Sequence, residues 1–334
     1  MALSASATGT PPTRIPIKVL YAGYPNRYPE YQEHLQQAFR EWNLNVHLTD
    51  DLEDDPSHVD YIVYNPQGRL QDFAPYTNVK AVLNLQAGAN AVAQNPTLSP
   101  YVPLTRMMDP GLREGMVEYV VGHVLRYHLS TDQWWDNKRT LTAAWKPRAV
   151  PPSTLARERC VGILGLGELG QACALALTNL NFQVCGWSRT KKQLEGIRCF
   201  HGDDCLETVL QESDILVVLL PDTPATRSII NQETLAKCKK GVYLINAGRG
   251  NSLVEMDLLM MLDQGHVAGA TLDVFATEPL PAHHPFWTHE RVLVTPHVAA
   301  KSRPATAAQV VAENIHRCET GQALLYPVDR TAGY

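Results

Sequence analysis

At 334 residues the chain is long enough for two domains with cores of their own. A formal net charge of −5 leaves no basic footprint for nucleic acid or an anionic membrane surface. Hydrophobic content of 45% and charged content of 19% suit a soluble globular protein, and no apolar run approaches a membrane span.

Residues 1–14 lack the basic start and long apolar segment of a secretory signal and read as a flexible leader. A short strand is expected at 17–21, a helix at 28–42, and further strands at 61–64 and 79–83. That alternation is the pattern of a parallel α/β sheet. The segment Asn84-Leu-Gln86-Ala87-Gly88-Ala89-Asn90 follows the last of these strands. Its small residues allow the backbone N–H groups of Ala87 and Gly88 to meet a carboxylate, although an ordinary βα turn has the same composition. Met107-Met108-Asp109-Pro110 then opens a helix expected to run to about Leu129. Residues 134–152 hold Trp134, Trp135 and Trp145 and end on a proline pair, so they read as an arm or loop.

From Cys160 the alternation resumes. Residues 161–164 form a short buried strand, and Gly165-Leu166-Gly167-Glu168-Leu169-Gly170 separates it from a helical run. This is G-x-G-x-x-G in its required context. The first glycine permits a tight turn, the second lets the backbone approach a pyrophosphate, and the third lets helix and strand pack closely. On the local pattern alone, a glycine-rich turn in another α/β protein is the competing reading. The second strand, 182–187, leads into Ser188-Arg189-Thr190-Lys191-Lys192. An NAD site places a carboxylate there for the ribose 2′-OH; here a hydroxyl, a guanidinium and two ammonium groups suit a 2′-phosphate. NADP(H) is therefore preferred over NAD(H), with a solvated basic turn as the alternative.

Buried strands are expected at 214–220, closed by Pro221, and at 241–246, 269–274 and 291–295. A helix is expected at 305–320, followed by an extended segment at 324–330. Ligands of open α/β sheets sit beyond the carboxyl ends of the strands. Leu220, Pro221 and Ala247 therefore join the glycine turn as cofactor contacts, and Arg249, Asp273, Glu278 and His297 stand out as polar groups at strand ends. Taken singly they have duller readings: a surface ion-pair arginine, loop carboxylates, a structural histidine. Cys160, Cys173, Cys185, Cys199, Cys205, Cys238 and Cys318 form no C-x-x-C pair. Reduced thiols packed as small hydrophobes are expected, in the cytoplasm, with neither a disulfide framework nor a zinc site.

Three segments, Ile245-Asn-Ala-Gly-Arg249-Gly250, Leu272-Asp-Val-Phe-Ala-Thr-Glu278-Pro-Leu and Thr295-Pro-His297-Val-Ala-Ala, resemble the signatures of the D-isomer-specific 2-hydroxyacid dehydrogenases. The glycine motif precedes them in the family's order, and the resemblance covers nearly the whole chain after the leader. Asp109 to Tyr119, Trp187-Ser-Arg-Thr and the terminal Val328 to Tyr334 are similar to stretches of the short bacterial glyoxylate/hydroxypyruvate reductases. The resemblance implies that Arg249 binds the carboxylate of a 2-oxo acid and polarises its carbonyl, and that His297 is the general acid. Glu278 would orient His297 and keep it protonated, and Asp273 would lie near the nicotinamide carboxamide, with no metal in the chemistry. The substrate loop departs from the family's pattern at Gln86, which replaces a smaller residue, and at Asn90, which replaces an acid.

The expected architecture is two Rossmann-like or flavodoxin-like parallel-sheet α/β domains with the active site in the cleft between them. Residues 15–104 plus 301–334 would form the substrate domain and 105–300 the NADP domain. The expected activity is NADPH-dependent reduction of glyoxylate or hydroxypyruvate by a cytoplasmic homodimer. Alternatives are a reductase of a bulkier 2-oxo acid such as an aryl-pyruvate, and a nucleotide-sensing regulator on the same fold. A formate dehydrogenase would be expected to carry Gln where Glu278 stands, and many phosphoglycerate dehydrogenases carry an additional regulatory domain.

Overall fold

The computed structural model describes residues 16–52, 55–132, 154–202 and 205–330. The leader, the three tryptophans of the expected arm and residues 331–334 lie outside the described residues. The chain divides into two compact units, Met1–Met107 with Pro304–Arg330 and Met108–Arg303 with Thr331–Tyr334.

In the first unit β1 (Ile17–Ala22), α1 (Tyr28–Glu41), β2 (Val46–Thr49), β3 (Tyr61–Tyr64), β4 (Ala81–Asn84), the short α2 (Asn90–Ala93) and β5 (Leu104–Thr105) alternate along the chain. The strands form a parallel sheet of order β2-β1-β3-β4-β5. Both faces are covered, so the central strands are apolar on both sides: Tyr61, Ile62 and Val63 of β3 are all fully buried. One face packs under α1, where Leu35, Ala38 and Phe39 share a core with Ala308, Val311 and Ile315. The edge strands β2 and β5 are absent from the sequence reading because each is short and has no sustained apolar run. The 324–330 segment lies antiparallel beside β5 through a bridge between Thr105 and Pro327.

The second unit opens with α3 (Pro110–His128), whose first turn is capped by the Asp109 carboxylate accepting from Leu112 N at 3.2 Å. It continues through β6 (Cys160–Leu164), α4 (Glu168–Asn179), β7 (Gln183–Ser188), β8 (Arg198–His201), α5 (Leu206–Glu212) and β9 (Ile215–Val218). Then come α6 (Gln232–Lys237), β10 (Val242–Asn246), α7 (Glu255–Asp263), β11 (Val267–Leu272) and β12 (Val292–Val294). The strand order is β12-β11-β10-β9-β6-β7-β8, all parallel. The chain starts in the middle and winds outward in both directions, so the order reverses between β6 and β9. The crevice beyond the carboxyl ends of those two strands is where such a sheet binds its ligand. After β12 the chain returns to the first unit as α8 (Pro304–Glu319).

Strand 214–220 of the sequence reading is shorter in the structure. Gly165 crosses over the end of β9, and a Cβ on it would lie 2.7 Å from the Leu219 carbonyl oxygen. Pairing with β10 ends at Val218, and Leu219 and Leu220 belong to the loop.

Candidate active site

The glycine turn sits at the reversal of strand order. Gly165 has φ +109°, which a side chain would strain, and a Cβ on Gly170 would overlap the Gly165 carbonyl. Beside Gly167, by contrast, a Cβ would meet nothing within 4 Å among the described residues. Gly167 is also the N-cap of α4, and among the described residues no side chain caps that helix. The first turn of a helix leaves N–H groups without intrahelical partners, so an uncapped N-terminus beside open space fits a pyrophosphate.

Not every expected contact in this turn is a side-chain contact. Leu166 is fully buried against Gly186, so only its backbone is offered. Glu168 is exposed, 3.9 Å from Arg113, and Leu169 is half-buried. Ser188 ends β7 and donates its hydroxyl to the Thr190 carbonyl at 2.7 Å, which shapes the basic turn. Arg189 and Thr190 are exposed on that turn. Leu220 and Ala247 are buried and Pro221 half-buried, each just past the end of β9 or β10.

His297 and Glu278 meet. Nδ1 of His297 lies 2.7 Å from Oε2 of Glu278, and Oε1 of Glu278 accepts from Phe275 N at 3.0 Å. The carboxylate is thus fixed at both oxygens. A carboxylate accepts only, so Nδ1 carries a proton and Nε2 is the nitrogen left to exchange one. The His297 backbone is left-handed, φ +52°, an uncommon conformation for a residue with a side chain. Its N–H donates to the Asp273 carbonyl at 2.9 Å.

Asp273 holds this turn together. It is 1% exposed, and its Oδ1 accepts from Val298 N at 2.8 Å and from Thr295 Oγ1 at 2.6 Å, while Oδ2 accepts from Ala299 N at 2.9 Å. Thr295 spends its one proton on Asp273, so the Tyr119 hydroxyl, 2.7 Å away, is the donor to Thr295. Burial raises the pKa of Tyr119, which keeps that donor protonated. The resemblance places Asp273 beside the nicotinamide; in the structure both carboxylate oxygens are engaged by the two residues after His297 and by Thr295. Thr295 and Tyr119 were missed by the sequence reading. Thr295 carried a signal, a polar residue two positions before the histidine, whereas Tyr119 is 176 positions away on α3 and carried none. Asp273→Asn removes the charge and leaves one of three donors facing an amide NH2. It is expected to lower kcat more than tenfold and to destabilise the protein by about 1–3 kcal/mol, read by steady-state kinetics and chemical denaturation.

Arg249 follows β10, half-buried, with Nη1 donating to the Gly248 carbonyl at 2.7 Å. Its own carbonyl accepts from Ser252 Oγ at 2.6 Å and Asn246 Nδ2 at 3.2 Å, which fixes the loop. Ala87 and Gly88 lie in the first unit, after β4. Asn84 Nδ2 donates to the carbonyls of Gln86 and Gly88 at 2.9 and 3.0 Å, so these carbonyls are bound to the strand end. Gln86 donates from Nε2 to Gln67 Oε1 at 2.7 Å, and Tyr24 OH donates to the same oxygen at 2.8 Å. Asn90 begins α2.

Residues 121–299 match the family model of the D-isomer specific 2-hydroxyacid dehydrogenase NAD binding domain. The chain belongs to this family. It is 40% identical over 296 residues to a glyoxylate/hydroxypyruvate reductase A of Photorhabdus laumondii subsp. laumondii, covering 87% of this chain and 92% of that protein. Among solved structures it resembles a D-isomer specific 2-hydroxyacid dehydrogenase of Xanthobacter autotrophicus Py2 in complex with NADPH and MES. The TM-score is 0.87 at 39% identity, with 96% of this chain and all of that chain covered. It also resembles an NADPH-dependent glyoxylate/hydroxypyruvate reductase of Sinorhizobium meliloti in complex with NADP and sulfate. There the TM-score is 0.85 at 36% identity, with 95% of this chain and all of that one covered. Among the described residues, no helix is long and apolar enough to cross a membrane.

Proposed function

We propose that the protein is an NADPH-dependent reductase of small 2-oxo acids, converting glyoxylate to glycolate and hydroxypyruvate to D-glycerate. The observation that carries this reading is the His297–Glu278 pair at 2.7 Å, in the same unit as the Gly165–Gly170 turn. The relatives described as glyoxylate/hydroxypyruvate reductases, with NADP in the Sinorhizobium meliloti structure, support the substrate class and the cofactor. The second unit would hold the cofactor and the first would bind substrate, in a cytoplasmic homodimer.

Bound NADPH supplies a hydride to the carbonyl carbon. Arg249 would hold the substrate carboxylate with its planar fork and draw charge toward the carbonyl oxygen. The backbone N–H groups of Ala87 and Gly88 would add donors to the carboxylate. His297 Nε2 would give its proton to the carbonyl oxygen as the hydride arrives, and Glu278 would stabilise the imidazolium that makes this possible. Asp273, through the Val298 and Ala299 amides, would fix the ring's position. Glu168, Leu169 and Gly170 would offer backbone N–H groups to the pyrophosphate, and Ser188, Arg189 and Thr190 would take the 2′-phosphate.

NADPH oxidation followed by absorbance with glyoxylate, hydroxypyruvate and phenylpyruvate tests the reading. Turnover of the first two supports it, preference for phenylpyruvate moves the substrate class, and no turnover with any of them leaves a regulator. Arg189→Asp removes charge-assisted bonds worth about 1.5–3 kcal/mol and adds a repelling carboxylate. It should raise the KM for NADPH at least tenfold relative to that for NADH, and an unchanged ratio would take the phosphate away from Arg189.

A further inference from the structure

The cysteine spacing in the sequence shows no metal site, yet the sheet brings two thiols and a carboxylate together. Cys160 opens β6 and Cys185 lies within β7. The register pairs Cys185 with Gly162, so the two cysteines are diagonal neighbours in one apolar cluster. Their sulfurs are 3.6 Å apart. Glu212, the last residue of α5, completes the group: one ligand atom from each residue lies within 4.8 Å of the others. Among the described residues this is the one group of three or more His, Cys, Asp or Glu side chains so placed.

We propose that Cys160, Cys185 and Glu212 form a binding site for a thiophilic divalent cation of the zinc class. Tetrahedral zinc at about 2.3 Å from each of two thiolates sets them roughly 3.8 Å apart, close to the separation already present. A disulfide fits less well: parallel strands about 4.8 Å apart with a two-residue offset put the Cα atoms roughly 8 Å apart, beyond the span of about 7 Å that a disulfide bridges without backbone movement. Arg198 faces both oxygens of Glu212, with Nη1 donating to Oε1 at 2.8 Å and Nη2 lying 2.6 Å from the buried Oε2, so a cation at Oε2 would share that oxygen with the guanidinium. The same Nη2 is 3.8 Å from the Cys160 sulfur. Two thiolates and one carboxylate are neutralised by a divalent cation together with this guanidinium. Binding releases the two thiol protons to solvent. A surface depression of about 360 Å³, lined by Cys160, Glu212, Arg198, Asp214 and Lys239, opens on the Cys160 and Glu212 side, with fully buried Cys185 behind it, and has room for water as the fourth ligand.

The site lies at the amino ends of the strands. Gly165 follows the other end of β6, about 13 Å along the strand, so the cation has no part in hydride transfer. The probe is Zn2+ added to metal-free protein in a phosphine reductant, read by the alkylation rates of individual cysteines in mass spectrometry. One equivalent should slow alkylation of Cys160 at least tenfold and leave half-buried Cys318 unchanged. Co2+ should give a thiolate charge-transfer band that Cys160→Ala and Cys185→Ala each abolish and Cys238→Ala retains. Glu212→Gln should weaken binding about tenfold while keeping the band. NADPH binding by fluorescence verifies that each variant is folded. Failure of one equivalent to protect Cys160 overturns the proposal, as does undiminished protection in folded Cys185→Ala, which would leave an ordinary thiol–thiol hydrogen bond.

Discussion

His297→Ala is expected to reduce kcat for glyoxylate about 10²–10⁴-fold, the usual contribution of a positioned general acid, with the NADPH dissociation constant changed less than threefold. The imidazole has one nitrogen engaged by Glu278 and the other free of that bond, so its loss removes a proton donor. The glycine turn and basic turn are separate segments of the second unit and keep their own hydrogen bonds. Glu278→Gln is the informative companion. The amide can still accept from His297 Nδ1, but it supplies no negative charge to stabilise the imidazolium. In that variant kcat should fall while the NADPH dissociation constant stays within threefold, because the ring keeps its orientation but loses the neighbouring charge. Stopped-flow NADPH oxidation gives the rate and fluorescence titration gives the affinity. A His297→Ala enzyme turning over at the wild-type rate would remove the histidine from the chemistry.

Much of this site was legible in the chain because its chemistry is encoded locally. The glycine spacing requires backbone contacts that only glycine permits, and the Gly165 and Gly170 geometry shows both contacts at work. The missing carboxylate after β7 could be read directly, since the residue that ends a strand and begins its loop is fixed by the strand's length. Other features depend on pairings that no spacing reveals. Tyr119 reaches Thr295 only because α3 packs against α4 and across β9 and β10 of the same sheet. Cys160 and Cys185 meet only because β6 and β7 are neighbours with that register; a shift of one residue would send Cys185 to the opposite face. The loss of β2 and β8 from the reading has a simpler cause. Both are edge strands, and Arg198-Cys-Phe-His has exposed ends and half-buried middle residues, so the apolar run that marks a central strand is absent. Helix α6 has a start that its sequence does encode: Asn231 and Thr234 bond each other's backbone N–H at 2.9 and 3.0 Å as a capping box.

Arg249→Ala is expected to lower kcat/KM for glyoxylate about 10²–10⁴-fold, corresponding to the 3–5 kcal/mol lost when one partner of a desolvated charge pair is removed. The whole anionic handle of a two-carbon substrate is its carboxylate, so no remote contact can compensate. Arg249→Lys separates charge from geometry. It keeps the cation, but it cannot present two parallel N–H groups to the carboxylate, so an intermediate loss of about tenfold to a hundredfold is expected. The Arg249 backbone carbonyl anchors Ser252 and Asn246 whatever the side chain, so the loop should survive both substitutions, and NADPH affinity should stay within threefold. If the lysine enzyme matched wild type, the planar fork would have no role. If the alanine enzyme lost NADPH and glyoxylate binding together, Arg249 would be a structural residue of the β10 loop, and the carboxylate would have to be held elsewhere.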